Sequence, residues 1–101
     1  MLNKLLYILE TELSFPPENA SYLIIGGEEA ENIRLELLKK GFFAENEGEE
    51  GRKYDVVISF GEAYDVEKSL TSQSLLILVN CPKSFKTAKK YCRVIEIYNK
   101  Q

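Results

Sequence analysis

Leu75-Leu76-Ile77-Leu78-Val79 is the stretch that decides the fold class. An unbroken apolar run of this length leaves no side of a strand for solvent. It is the pattern of a strand covered on both faces, and such strands belong to parallel sheets in α/β proteins. Tyr22-Leu23-Ile24-Ile25 and Val56-Val57-Ile58 are runs of the same kind. Together they predict the centre of a mostly parallel sheet of four to five strands.

The segments around these runs read as helices. Leu2, Leu5, Leu6, Leu9 and Leu13 share one stripe of a 3.6-residue period, so residues 2–13 are expected to form an amphipathic helix that residues 14–17, with two prolines, bring to an end. Ala30, Ile33, Leu37 and Leu38 mark one face of a second helix, and Gly41 after Lys39-Lys40 is a helix stop with cations at the negative end of the dipole. Ala63, Val66 and Leu70 repeat the spacing. A further helix over residues 83–91 would turn Phe85, Ala88 and Ser84 inward, and residues 94–98 read as a strand that Glu96 places at a sheet edge. Helix first, then alternating strands and helices, predicts an α/β fold, a three-layer α/β/α sandwich in a single domain over residues 1–101.

Residues 22–37 and 55–70 align at an offset of 33, pairing Ile25 with Ile58, Glu29 with Glu62, Ala30 with Ala63, Ile33 with Val66 and Leu37 with Leu70. One βα geometry imposes this apolar spacing on unrelated segments, and the third unit breaks the period. Two similar βα units are therefore read here without a solenoid. Phe42-Phe43-Ala44 reads as an edge strand followed by an acidic, glycine-containing loop. That loop is too short for a helical crossover, which normally takes a dozen or more residues. The strand is expected either to run antiparallel to its neighbour or to lead into a tight connection without a helix.

Composition narrows the chemistry. The chain has no histidine, which removes the commonest general base and the commonest metal ligand. Cys81 and Cys92 have no CxxC spacing, so neither a zinc ribbon nor a redox pair is indicated, and they belong to opposite ends of a parallel sheet as free thiols. No metal site and no cofactor are expected. The 14 Glu and 10 Lys against 2 Asp and 2 Gln are an enrichment seen in hyperthermophiles. No apolar run is long enough to span a membrane, and the expectation is a cytoplasmic protein.

Ligands of open α/β sheets bind beyond the carboxyl ends of the strands, where strand order reverses. The candidate ligand-binding residues are therefore Gly26, Gly27, Glu28, Phe60, Gly61, Asn80 and Cys81, with Glu45 lying 19 residues beyond Gly26, near the offset at which an acid binds a ribose. Against a phosphate ligand, Glu28, Glu29 and Glu31 occupy the helix start that a phosphate would need, and neither GxGxxG nor GxxxxGK[ST] is present. Cys81 before Pro82 stands at a helix start, where a thiolate would be stabilised; with no histidine to activate it, it reads as a small buried residue. No catalytic residue is assigned.

The order of pieces resembles Rossmann-like domains of the class I methyltransferase kind, through Tyr54-Asp55-Val56-Val57-Ile58-Ser59 followed by Leu75-Leu76-Ile77-Leu78-Val79-Asn80. About half the chain takes part in this generic pattern. The resemblance implies a Rossmann-like fold and, at the strand-end loops, binding of a nucleoside-type molecule such as S-adenosylmethionine. The family's glycine-rich cofactor motif is reduced here to Gly26-Gly27, and the chain is shorter than a complete domain of that family.

Charge gives the remaining expectations. Residues 1–51 hold eleven Glu against four Lys or Arg, and residues 52–101 hold nine Lys or Arg against five acids. Lys83, Lys86, Lys89 and Lys90 form a basic patch that suits nucleic-acid phosphates, although the net charge of −3 and the lack of interleaved aromatics favour a solvated or partner-facing surface. With catalytic groups sparse, edge strands present and the two halves opposite in sign, the leading expectation is a non-catalytic protein-interaction module that self-associates as a homodimer. A nucleoside-binding domain and a nucleic-acid binder are the alternatives.

Overall fold

The computed structural model describes residues 1–61, 66–81 and 92–98. The chain forms helix α1 (Leu2–Glu12), strand β1 (Ser21–Ile25), helix α2 (Gly27–Lys39), and strands β2 (Phe43–Glu45), β3 (Val56–Phe60), β4 (Leu75–Val79) and β5 (Arg93–Ile97). The strands make one sheet of order β2-β1-β3-β4-β5. Every neighbouring pair is parallel. The fold is thus α/β with a five-stranded, all-parallel sheet, and the apolar runs at Tyr22, Val56 and Leu75 lie in its three central strands.

β3 and β4 are buried at every position, as continuous apolar runs require. Alternate residues serve two cores. Tyr22, Ile24, Val56, Ile58, Leu75 and Ile77 pack with Leu5 and Leu9 of α1 and with Ala30, Ile33 and Leu37 of α2. Leu23, Val57, Leu76 and Leu78 point the other way and pack with Tyr54, Val66, Leu70 and Cys81. Fully burying a Leu or Ile side chain contributes about 1.5–3 kcal/mol, so these two faces supply most of the driving force. Both helices therefore cover one face; among the described residues, the opposite face is covered by chain from residues 46–55 and 66–70.

Three expectations are corrected or resolved. Leu38 does not join the inward stripe of α2: it is 41% exposed, whereas Ala30, Ile33 and Leu37 are buried. The described part of the helix expected around Ala63, Val66 and Leu70 is one 3-10 turn, Glu67–Ser69, with Leu70 extended, although Val66 and Leu70 are buried as their spacing implies. The Phe42 segment is an edge strand, and β2 runs parallel to β1, so the second of its two readings holds. The helix expected over residues 83–91 lies outside the described residues.

β2 and β3 flank β1, so residues 46–55 must cross over β1 without a helix. This strap is pinned along its length. Asn46 Nδ2 donates to Glu31 Oε2 of α2 at 3.3 Å. A Cβ on Gly48 would lie 3.3 Å from Ser69 Oγ and 3.4 Å from Leu23 Cδ2, so the strap lies close against the sheet. The backbone N–H of Tyr54 donates to Ser69 O at 2.9 Å. At its end, Asp55 Oδ2 accepts from the Ser21 N–H at 2.9 Å while the Asp55 N–H donates to Ser21 Oγ at 3.0 Å, a reciprocal clamp at the start of the β1–β3 pair.

Candidate functional site

The strand order reverses between β1 and β3, so the loops after these strands form the crevice in which doubly wound sheets hold their ligands. Gly26, Gly27, Phe60 and Gly61 are brought to that point, as the sequence predicts. Their packing defines what the crevice is. Gly26 has φ +124°, and an ideal Cβ there would meet the Phe60 carbonyl oxygen at 2.3 Å and the Phe60 Cβ at 2.6 Å. The two loops therefore touch backbone to backbone. Among the described residues, nothing lies within 4 Å of a Cβ added at Gly27, with φ +80°, or at Gly61, with φ +79°. Their glycines serve the turn, because left-handed backbone strains any side chain.

The neighbouring strand ends are stitched in the same way. The Gly61 N–H donates to Val79 O at 2.9 Å, and the Asn80 N–H, on a residue with φ +53°, donates to Ile97 O at 2.8 Å. The Cys81 thiol donates to Ser59 O at 3.4 Å. Burial pushes the Cys81 thiol above its ordinary pKa, with a hydrogen bond from the Ser59 side chain opposing that rise. A thiol held in its neutral form is a poor nucleophile. Among the described residues, these strand ends are joined by main-chain hydrogen bonds.

Glu45 and Glu28 stand apart from this contact. Glu45 ends β2 in register with Leu23, below the end of β1. It accepts hydrogen bonds from the Tyr54 hydroxyl and from Arg52 Nη1, both at 2.5 Å. Arg52 in turn lies over the Tyr54 ring, 5.1 Å from its centroid. The carboxylate expected beside a ribose is a clasp for the strap. Glu28 and Glu29 are exposed on the first turn of α2. Glu31 of the same helix is held below its ordinary pKa, chiefly by its hydrogen bond to Arg34. Among the described residues, no group of three or more Cys, Asp or Glu stands close enough to hold a metal ion. The basic patch of Lys83, Lys86, Lys89 and Lys90 lies outside the described residues.

A different surface carries more unsatisfied chemistry. The outer side of α2 holds a shallow groove of about 610 Å³ lined by Asn32, Leu35, Glu36, Leu38 and Lys39. Leu35 is 45% exposed there, beside the equally exposed Leu38. Among the described residues β2 is an edge of the sheet; Ala44 points into the core under α2, and Phe43, on the opposite face, is 70% exposed. Sequence reading missed Leu35. Its signal is a leucine standing outside the Ala30, Ile33 and Leu37 stripe, on the side that period assigns to solvent.

The five-stranded all-parallel sheet of order β2-β1-β3-β4-β5 with its helices makes this an α/β fold, consistent with a Rossmann-like sandwich. Compared with protein-family models, curated proteins and solved structures, the chain matches none. Among the described residues, no helix is long and apolar enough to cross a membrane.

Proposed function

We propose that this protein is a small non-catalytic module that works through protein contacts and associates with itself. The observation that carries the reading is the pair of large apolar side chains left in solvent on the outer side of α2, Leu35 and Leu38. Scattered exposed leucines are ordinary, but two lining one groove on a helix face form a concentrated patch of the kind interfaces use. The main-chain contact of Gly26 with Phe60 and the neutral Cys81 thiol support the same reading from the other side, because they equip the strand ends for rigidity.

Light scattering coupled to size exclusion tests it. Over a range from micromolar to a few hundred micromolar, the weight-average mass should climb from 11.6 kDa towards twice that value. A mass that stays at 11.6 kDa over the whole range overturns the self-association.

A further inference from the structure

We infer that two copies of the chain pair through antiparallel α2 helices, each presenting the seam Glu28, Asn32, Leu35 and Lys39 to the other. The inference rests on the reading of self-association and names the surface that performs it. The four positions are spaced by four, three and four residues, which is the spacing that keeps a stripe on one side of a helix facing a second helix. All four are exposed, on the side of α2 opposite the buried Ala30, Ile33 and Leu37.

Charge selects the occupant. The seam is acidic at its first turn, at Glu28, and carries a cation at its last, Lys39, whose Nζ lies 3.4 Å from the exposed Glu36 Oε1. An antiparallel copy offers the reverse order, setting Glu28 against Lys39 of the partner subunit at both ends. The central turn then brings Leu35 and Asn32 of one copy against Asn32 and Leu35 of the partner subunit, with Leu38 flanking the contact. A two-fold interface must be complementary to itself, and this face meets that condition. The helix dipoles also oppose one another in this arrangement. A helix of 13 residues is only about 20 Å long, which makes a contact smaller than a standard interface and an association in the micromolar range.

The test is a pair of charge reversals on the full chain. Glu28→Lys gives a seam basic at both ends and Lys39→Glu one acidic at both ends, so each variant alone should raise the dimer dissociation constant by about tenfold or more. An equimolar mixture should recover wild-type association as heterodimers, which native mass spectrometry reads directly when one variant carries a short tag. Circular dichroism melts establish that each variant is folded. Glu28→Gln, which puts no cation at the helix start, should give an intermediate loss. If the folded single variants dimerise as tightly as wild type, or if the mixture gains nothing, the α2 pairing is overturned while self-association stands and must use another surface. A monomeric wild type overturns both.

Discussion

Gly26 at the end of β1 packs its backbone directly against Phe60 at the end of β3, leaving 2.3 Å between an added Cβ and the Phe60 carbonyl oxygen. The contact falls at the reversal of strand order, the place where folds of this class open to admit a ligand. Here the same glycine that a cofactor site would use for close approach of a ligand is used for close approach of the chain to itself. A strand-end loop built this way holds β1 and β3 together as the rigid base on which α2 stands.

Gly26→Ala should therefore destabilise strongly. The new methyl meets backbone, which cannot rotate away, and φ of +124° is itself strained for alanine. Each cause alone costs about 1–3 kcal/mol. Gly27→Ala has only the second cause, since among the described residues nothing lies within 4 Å of its added Cβ, and should lose about 1 kcal/mol. Urea denaturation of the two variants measures both, and equal losses would show that the Phe60 contact is not what fixes Gly26.

The strap over β1 makes a second prediction. The Tyr54 hydroxyl donates to Glu45 Oε2 and accepts, at 3.4 Å, from the Glu49 N–H. Tyr54→Phe keeps the buried ring and deletes this bridge, for a loss of about 1 kcal/mol. Glu45→Ala should cost more, about 1–3 kcal/mol, because it leaves the Tyr54 hydroxyl without its acceptor. The Arg52 ion pair adds little to that figure because it is partly exposed. Hydrogen exchange should speed up in residues 46–55 for both variants while the central strands stay protected.

Alkaline pH supplies a third. Burial raises the Tyr22 pKa well above its ordinary value of 10.0, with Glu18 and Asp55 adding to the rise. Burial, followed by the hydrogen bond to Glu45, raises Tyr54 in the same sense. A phenol whose pKa is raised on folding ionises first in the unfolded chain. Its contribution is fully present below pH 10 and is lost as pH climbs from there towards the folded pKa. Each such group steepens the fall by as much as about 1.4 kcal/mol per pH unit. Tyr22→Phe forfeits the hydrogen bond from the hydroxyl to Pro17 O, 2.7 Å long, and should be less stable than wild type at neutral pH. Above pH 10 its stability should fall less steeply than that of wild type. Denaturation at a series of pH values checks this, and parallel slopes would refute it.

The sequence makes the sheet legible because a strand buried on both faces has only one composition, and Leu75–Val79 appears in the structure with the bounds its apolar run suggests. The strand order was out of reach: nothing local to Phe43 says that it pairs with β1, since that choice depends on how residues 46–55 cross the sheet. Those residues cross without periodicity, held by side chains such as Asn46 and Tyr54 whose partners are remote in the chain. Leu38 shows the limit of a stripe. It neighbours Leu37 and lies near the border of the buried arc, and only the position of the sheet decides that Leu37 is covered while Leu38 is not. At the candidate site, the convergence of Gly26 with Phe60 follows from βα topology and could be foreseen, whereas the partner of Glu45 could not, because spacing from Gly26 carries no information about Tyr54.

Cys81 offers a final test, one that reports on the strand ends themselves. Its thiol is buried, donates to the Ser59 carbonyl and, through burial, has a raised pKa. Cys92 precedes β5 at the opposite end of the sheet, and the two cysteines form no disulfide. Thiol reagents attack the thiolate, so reaction at Cys81 needs both exposure and ionisation, and the fold opposes both. In the native protein at neutral pH, a bulky aromatic disulfide should modify Cys92 well ahead of Cys81. Modification of Cys81 should require local opening around the end of β4, and its rate should rise on adding urea below the global transition. Cys81→Ser keeps a donor of similar size for Ser59 and should preserve the fold with a small loss. Cys81→Leu overfills the site and should cost about 1–3 kcal/mol. Equal labelling of the two thiols in the folded protein would mean that the end of β4 is open to solvent.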